Sequence, residues 1–229
     1  MVAVIGDIHG CFYTLLELYN KIRKKYPKIS IYAVGDLIDR GNFSYEVIKF
    51  FIEEKIKFTP GNHDYMFYHF FKDPSSVFAK SWVFNGNEST LVSYEEHDED
   101  LFKHVEFIKN APLFFNLDDC YLTHAGISSA YKFELAENFR QDLSSLEYYI
   151  KRDYKNETGV LWTRDDLLNL GKLQIVGHSK HQEVTLDEDA NALYIDTGAC
   201  VGNKLSAVII HESKILETID QSTKLEDIL

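Results

Sequence analysis

A threefold repetition in the first 64 residues limits what this chain can fold into. Val2 to Ile5, Ile29 to Val34 and Ile56 to Thr59 are short, largely apolar and β-branched runs with the character of buried strands. Each run stops at a polar turn bounded by glycine. The first turn is Gly6-Asp7-Ile8-His9-Gly10, and the second runs from Gly35-Asp36 through Asp39-Arg40 to Gly41. The third follows Pro60 as Gly61-Asn62-His63-Asp64. Between the turns, apolar residues return at helical spacing over 12–26 and 43–55. Strand, turn and helix in rotation predict a βαβ sheet with all three polar turns along one edge. In such sheets, ligands bind outside the carboxyl ends of the strands.

Past this repetition the rhythm changes. Residues 65–111 show no clear strand and many aromatics, among them Tyr65, Phe67, Phe71, Phe78, Trp82 and Phe84. They predict a helical insertion packed beside the sheet, its aromatics forming a core of their own or walling a substrate site. Strands are expected again at Leu113–Leu117 and Cys120–Thr123, joined by a turn at Asp118-Asp119 and followed by His124-Ala125-Gly126. A mixed-charge helical region leads to Tyr154. Next come Leu161-Trp162-Thr163-Arg164, a short helix, and a strand over Leu173–Val176 that ends in Gly177-His178-Ser179. The stretches 192–195, 205–210 and 214–219 read as meandering antiparallel strands, and 220–229 as a loose polar end. One domain over 1–229, with 65–111 inserted in it, is the expectation.

Composition narrows the role. A formal net charge of -12 disfavours a nucleic-acid-binding function, because an acidic surface repels phosphate backbones. A phosphorylated substrate is still possible, since bound cations can be the largest local charges in a site. Cys11, Cys120 and Cys200 lack CxxC spacing, which points to a reducing compartment. No apolar run reaches the roughly 18 residues of a membrane helix, and Met1 leads straight into a strand, so a cytoplasmic protein without membrane contact is expected.

Five predicted strand ends therefore present Asp7 with His9, Asp36 with Asp39 and Arg40, Asn62 with His63, His124, and His178. Any one of them could be a capped turn with a surface histidine. Five together, each beside glycine, point to a metal cage, because glycine lets a backbone bend sharply and approach a ligand closely. In order, GDIHG, GDLIDRG, GNHD, HAG and GHS resemble the signature of the metallophosphoesterases, and more narrowly the phosphoprotein phosphatases with their small bacterial and phage serine/threonine members. The likeness runs from Gly6 to about Leu205, including Asp196-Thr197-Gly198 near its end.

That resemblance implies a four-layer α/β/β/α sandwich of two mixed sheets with a helical insertion. It also implies two divalent metal ions, one held by Asp7, His9 and Asp36, the other by Asp36, Asn62, His124 and His178, with Asp36 shared. Mixed oxygen and imidazole ligation suits manganese, with iron or zinc as alternatives. His63 is then the general acid, oriented by Asp39, while Arg40 and Arg164 clamp phosphoryl oxygens. The expected substrate is a phosphorylated protein hydrolysed at phosphoserine or phosphothreonine. GNHD and HAG, in place of the GNHE and HGG usual in protein phosphatases, are shared with diadenosine tetraphosphate hydrolases, so a nucleotide substrate is the alternative. Those hydrolases tend to lack the Asp-Arg pair that is intact here as Asp39-Arg40. A silent binding protein on the same fold is disfavoured by the complete ligand set.

Overall fold

The computed structural model describes residues 1–229. Two five-stranded sheets lie face to face, each covered on its outer side. The first has the order β10-β9-β1-β2-β3, built from β1 (Val2–Ile5), β2 (Ser30–Ala33), β3 (Lys57–Phe58), β9 (Lys204–His211) and β10 (Lys214–Ser222). The first three strands are parallel and the last two antiparallel. The second sheet has the order β4-β5-β6-β8-β7, from β4 (Phe115–Asn116), β5 (Tyr121–Leu122), β6 (Gln174–Val176), β7 (Thr185–Asp187) and β8 (Ala192–Tyr194). Both sheets are thus mixed, and the layers are α/β/β/α.

Alternation along β1 shows how the layers separate. Val2 and Val4 point into the space between the sheets with Tyr32, Val34, Ile175, Leu193 and Val208. Ala3 and Ile5 point the other way, onto a larger core with Leu15, Leu18, Ile22, Val47 and Phe51. That core is closed by α1 (Phe12–Lys25) and α2 (Ser44–Glu53). A strand buried on both faces needs apolar residues at every position, so β1 reads as an unbroken apolar run. Over the second sheet, Tyr121 packs with Ile127, Leu146 and Ile150 beneath 3₁₀ turns and α7 (Leu146–Asp153).

Helices α3 (Asn62–Lys72), α4 (Val77–Trp82), α5 (Glu88–Ser93) and α6 (Asp98–Lys109) occupy the region expected to be helical. Their aromatics do not form a separate core, because Phe67, Trp82 and Tyr94 join the main cluster over the first sheet.

Three further expectations are corrected. Strands at 192–195 and 205–210 are not one meander: β8 lies parallel to β6 in the second sheet, whereas β9 pairs β1 in the first. The chain changes sheet across Asp196-Thr197-Gly198, and hydrophobic alternation carries no label for which sheet a strand joins. The segment after Leu161-Trp162-Thr163-Arg164 is irregular, with an isolated bridge from Leu167 to Ser128, and not a short helix. Residues 220–229 are also not loose. β10 continues to Ser222, a 3₁₀ turn spans Leu225–Asp227, and Asp227 is fully buried.

Candidate metal centre

The predicted turns do converge. Asp7 and His9 leave the end of β1, Asp36 to Arg40 follow β2, and Asn62 and His63 open α3 just after β3. His124 follows β5 and His178 follows β6. The two sheets present their carboxyl strand ends to the same cleft. Asp7, His9, Asp36, Asn62, His63 and His124 are all buried, His178 is half-buried, and Arg40 and Arg164 are exposed.

The turns are tight in a specific way. His9, Asp36, Asp39, Arg40 and His178 all have positive φ, between 48° and 72°. Residues with a Cβ rarely adopt this left-handed conformation, and such outliers cluster at functional sites. Glycines allow the close approaches instead. A Cβ added to Gly177 would overlap Asp7 Oδ1, and one on Gly61 would overlap Asp36 Oδ1.

Asp36 sits at the centre. Its Oδ2 is 3.5 Å from His9 Nε2 and 3.6 Å from His124 Nε2, while its Oδ1 accepts the His63 backbone N–H at 3.0 Å. Asn62 Oδ1 lies 3.1 Å from His124 Nε2 and 2.9 Å from His178 Nδ1. Asp7 Oδ2 accepts the His178 backbone N–H at 2.9 Å, which joins the two sheets. Its other oxygen is buried without any hydrogen-bond partner.

Backbone carbonyls set the imidazole tautomers. His9 Nδ1 donates to Ile38 O at 2.8 Å, His124 Nδ1 to Val34 O at 2.7 Å, and His178 Nε2 to Trp162 O at 3.2 Å. The other nitrogen of each ring therefore offers a lone pair to the cleft. Burial disfavours charge on these rings: His9 and His178 are pushed down to about 3, and His124 is lowered. The free ring nitrogens of His124 and His178 thus face the oxygens of Asn62 and Asp36, while that of His9 faces Asp36 Oδ2 and accepts from Arg40 Nη1. Burial, then the charges of Asp196 and Asp36, pushes the Asp7 carboxyl well up. Burial also opposes the charge on Asp36, but the imidazoles of His124, His63, His9 and His178 outweigh it and hold its carboxyl well down. Converging lone pairs, an orphaned carboxylate oxygen and crowded acids are the donor set of a divalent-cation site. Two overlapping groups have donor atoms within 4.8 Å of one another: Asp7, Asp36 and His124, and His9, Asp36 and His63.

Beside the cage is a second arrangement. His63 Nδ1 is 2.7 Å from Asp39 Oδ2, and Asp39 also accepts from Trp82 Nε1 at 2.8 Å and Thr90 Oγ1 at 2.7 Å. Burial disfavours charge on His63, but Asp36 and the bonded Asp39 outweigh it and raise its pKa. Arg40 Nη1 lies 2.8 Å from His9 Nε2, and its Nη2 lies 3.0 Å from His63 Nε2. Arg164 sits at the rim, near enough for its charge to help depress His178.

Sequence reasoning missed Trp82 and Thr90, whose contacts with Asp39 cross more than 40 residues. It also assigned nothing to Asp64, although that residue lies inside a motif. Asp64 accepts the N–H groups of Leu37 at 3.0 Å and Gly61 at 2.8 Å, locking two of the turns together. His181 packs against Tyr194 at a tilt, with ring centroids 5.0 Å apart. Cys11 is fully buried, and burial pushes its thiol up, which makes it a packing residue.

A sandwich with this cleft defines a metal-dependent phosphoester hydrolase. A family model described as calcineurin-like phosphoesterase matches residues 1–209, and the chain belongs to that family. Among curated relatives, the asymmetrical bis(5'-nucleosyl)-tetraphosphatase PrpE of Anoxybacillus flavithermus is 30% identical over 233 residues, covering 90% of this chain and 88% of that one. Among solved structures, a cold-active protein-tyrosine phosphatase of a psychrophilic Shewanella matches with a TM-score of 0.62 at 17% identity, covering 97% of this chain and 80% of that one. A serine/threonine phosphatase of Saccharomyces cerevisiae matches with a TM-score of 0.58 at 15% identity, covering 97% and 79%. At these identities the two structures speak for the fold alone.

Proposed function

We propose that this chain hydrolyses dinucleoside polyphosphates such as diadenosine tetraphosphate, at a centre that holds two divalent cations. Asp7, His9 and Asp36 would hold one cation, and Asp36, Asn62, His124 and His178 the other. Manganese fits this mixed oxygen and imidazole set, with iron or zinc as alternatives. Bound there, such cations supply positive charge for phosphate oxygens and make water acidic enough to give hydroxide at neutral pH. The observation that carries the reading is the set of imidazole lone pairs and carboxylate oxygens turned into one buried cleft. The choice of substrate rests on the relative that shares 30% identity over 90% of this chain and is named as a tetraphosphatase.

The remaining residues bind phosphate and handle protons. Arg40 and Arg164 would grip phosphoryl oxygens, since guanidinium matches their geometry. Arg40 bridges His9 and His63, so its guanidinium would turn from their rings to the phosphate as substrate enters. His63, oriented by Asp39, would donate a proton to the leaving oxygen.

A second reading, hydrolysis of phosphoserine or phosphothreonine in proteins, is favoured by that same His63–Asp39 pair. A serine alkoxide is a poor leaving group and needs an acid, whereas a nucleotide phosphate leaves far more easily. The specificity constants for diadenosine tetraphosphate and a phosphothreonine peptide, with manganese supplied, separate the two. A large preference for the dinucleotide is expected, and a preference for the peptide overturns the proposal in favour of the second reading.

A further inference from the structure

The segment 223–229 bonds the chain just after two of the turns that build the cleft and just after the Asp196-Thr197-Gly198 crossover. The carboxylate of Asp227 accepts the backbone N–H groups of Tyr13 at 2.9 Å and Thr14 at 2.8 Å, and the Thr14 hydroxyl at 2.6 Å. Tyr13 and Thr14 are the second and third residues of α1, whose N–H groups a helix cap normally satisfies. Locally α1 has no such cap. Cys11 stands at the N-cap position without a side-chain hydrogen bond, and the first turn contains no acid. Asp227 therefore caps the helix from 213 residues away, with a charge suited to a helix N-terminus.

The same segment reaches the other turns. The Asp227 carbonyl accepts the Asn42 backbone N–H at 2.9 Å, and the Asn42 side chain donates to the carbonyls of Glu226 at 3.1 Å and Leu229 at 2.9 Å. Thr223 Oγ1 donates to Ala199 O at 2.8 Å, just past the Asp196-Thr197-Gly198 crossover. Asn42 directly follows Arg40-Gly41, and α1 directly follows the Asp7–Gly10 turn. His9 and Asp36 to Arg40 include four of the left-handed residues at the site. Such conformations persist only where the surroundings over-determine them.

We propose that Asp227 is a positioning residue for the metal centre. It ties the start of α1 to the segment after Arg40, and so holds His9 in register with Asp36. This rests on the metal-centre reading above. It predicts that cutting the tie loosens the cage itself as well as the fold.

The test compares the wild type with Asp227→Ala, Asp227→Asn and Ile22→Ala, the last a core truncation near the far end of α1. Mn²⁺ affinity is read by calorimetry, melting temperature by circular dichroism, and kcat and KM with p-nitrophenyl phosphate. Asp227→Ala is expected to weaken Mn²⁺ binding about tenfold or more and to lower kcat more than it raises KM. Asp227→Asn, which retains a carbonyl acceptor, recovers part of the loss and keeps the test open if the alanine variant does not fold. Ile22→Ala is expected to melt lower yet bind Mn²⁺ as the wild type does. Wild-type Mn²⁺ affinity in both Asp227 variants overturns the proposal and leaves the metal centre standing. So does an equal loss of affinity in Ile22→Ala at a matched fall in melting temperature. Failure of the wild type to bind Mn²⁺ overturns both.

Discussion

Asp36 and His63 are neighbours in the cleft, and their substitutions should fail differently. Asp36 lies between the two groups of donors, with its Oδ2 near His9 and His124. Asp36→Asn exchanges one oxygen for an amide nitrogen and removes the charge that both cations would share. It is expected to lose both metals together, as measured by elemental analysis after dialysis; full occupancy would contradict the bridging role. His63 is bonded instead to Asp39 and Arg40. His63→Asn should keep its metals and lose about 10²–10⁴-fold in kcat on alkyl phosphates, where the leaving oxygen needs a proton. With p-nitrophenyl phosphate the loss should be much smaller. An equal loss on both substrates would show that His63 does something other than donate a proton. Both residues stand in motifs and were legible in the sequence. That His9 and Asp36 themselves, not only their flanking glycines, take the left-handed conformation was not legible.

At the scale of elements, the helices between Asn62 and Lys109 have two distinct consequences. One is support of the acid. Trp82, at the end of α4, donates its indole N–H to the buried carboxylate of Asp39. Trp82→Phe keeps most of the ring and deletes that donor. A buried acceptor that loses a partner costs about 1–3 kcal/mol, so chemical denaturation should show a loss of that order. Metal content should not change, because Trp82 touches none of the proposed ligands; its loss would mean that α4 shapes the cage directly. The other consequence is a response to acid. His104 on α6 is buried, with its Nδ1 2.7 Å from the Tyr94 hydroxyl, and burial pushes its pKa down to about 4. The folded value lies below the usual 6.5, so the unfolded chain takes up this proton first. The stabilisation is whole above pH about 6.5 and is lost as pH falls towards 4. At pH 5 the loss amounts to roughly 2 kcal/mol. Urea denaturation at pH 7 and pH 5 should show that much less acid sensitivity in His104→Gln than in the wild type.

For the whole molecule, the cleft is where two sheets meet, so its contents should govern how firmly they are held together. Asp7 on the first sheet bonds the His178 backbone on the second, and Asp7, Asp36 and Asp196 lie close enough to oppose one another's ionisation or to be relieved by a cation. A cation that binds only the folded state stabilises it by about 2.7 kcal/mol at a hundred times its dissociation constant. Chelator-treated protein should melt lower than protein with excess Mn²⁺, and the gap should close with Asp36→Asn. An unchanged melting temperature on adding Mn²⁺ would mean that the cleft is complete without metal.

The sequence by itself determined the parts whose physics is local. Apolar runs that stop at glycine made strands, 3.6-residue spacing made α1 and α2, and Asp7, His9, Asp36, Asn62, His124 and His178 stood out as metal-binding types at strand ends, with His63 beside them as an acid. The tertiary structure decided what depends on contacts far apart in the chain. These are the sheet that β8 and β9 each join, the Trp82 and Thr90 donors behind Asp39, and the burial of Asp227 as a cap for α1. The reason is the same in each case. A side chain fixes its own backbone preferences and chemistry, but a hydrogen bond across 40 or 200 residues exists only once the chain between them has packed.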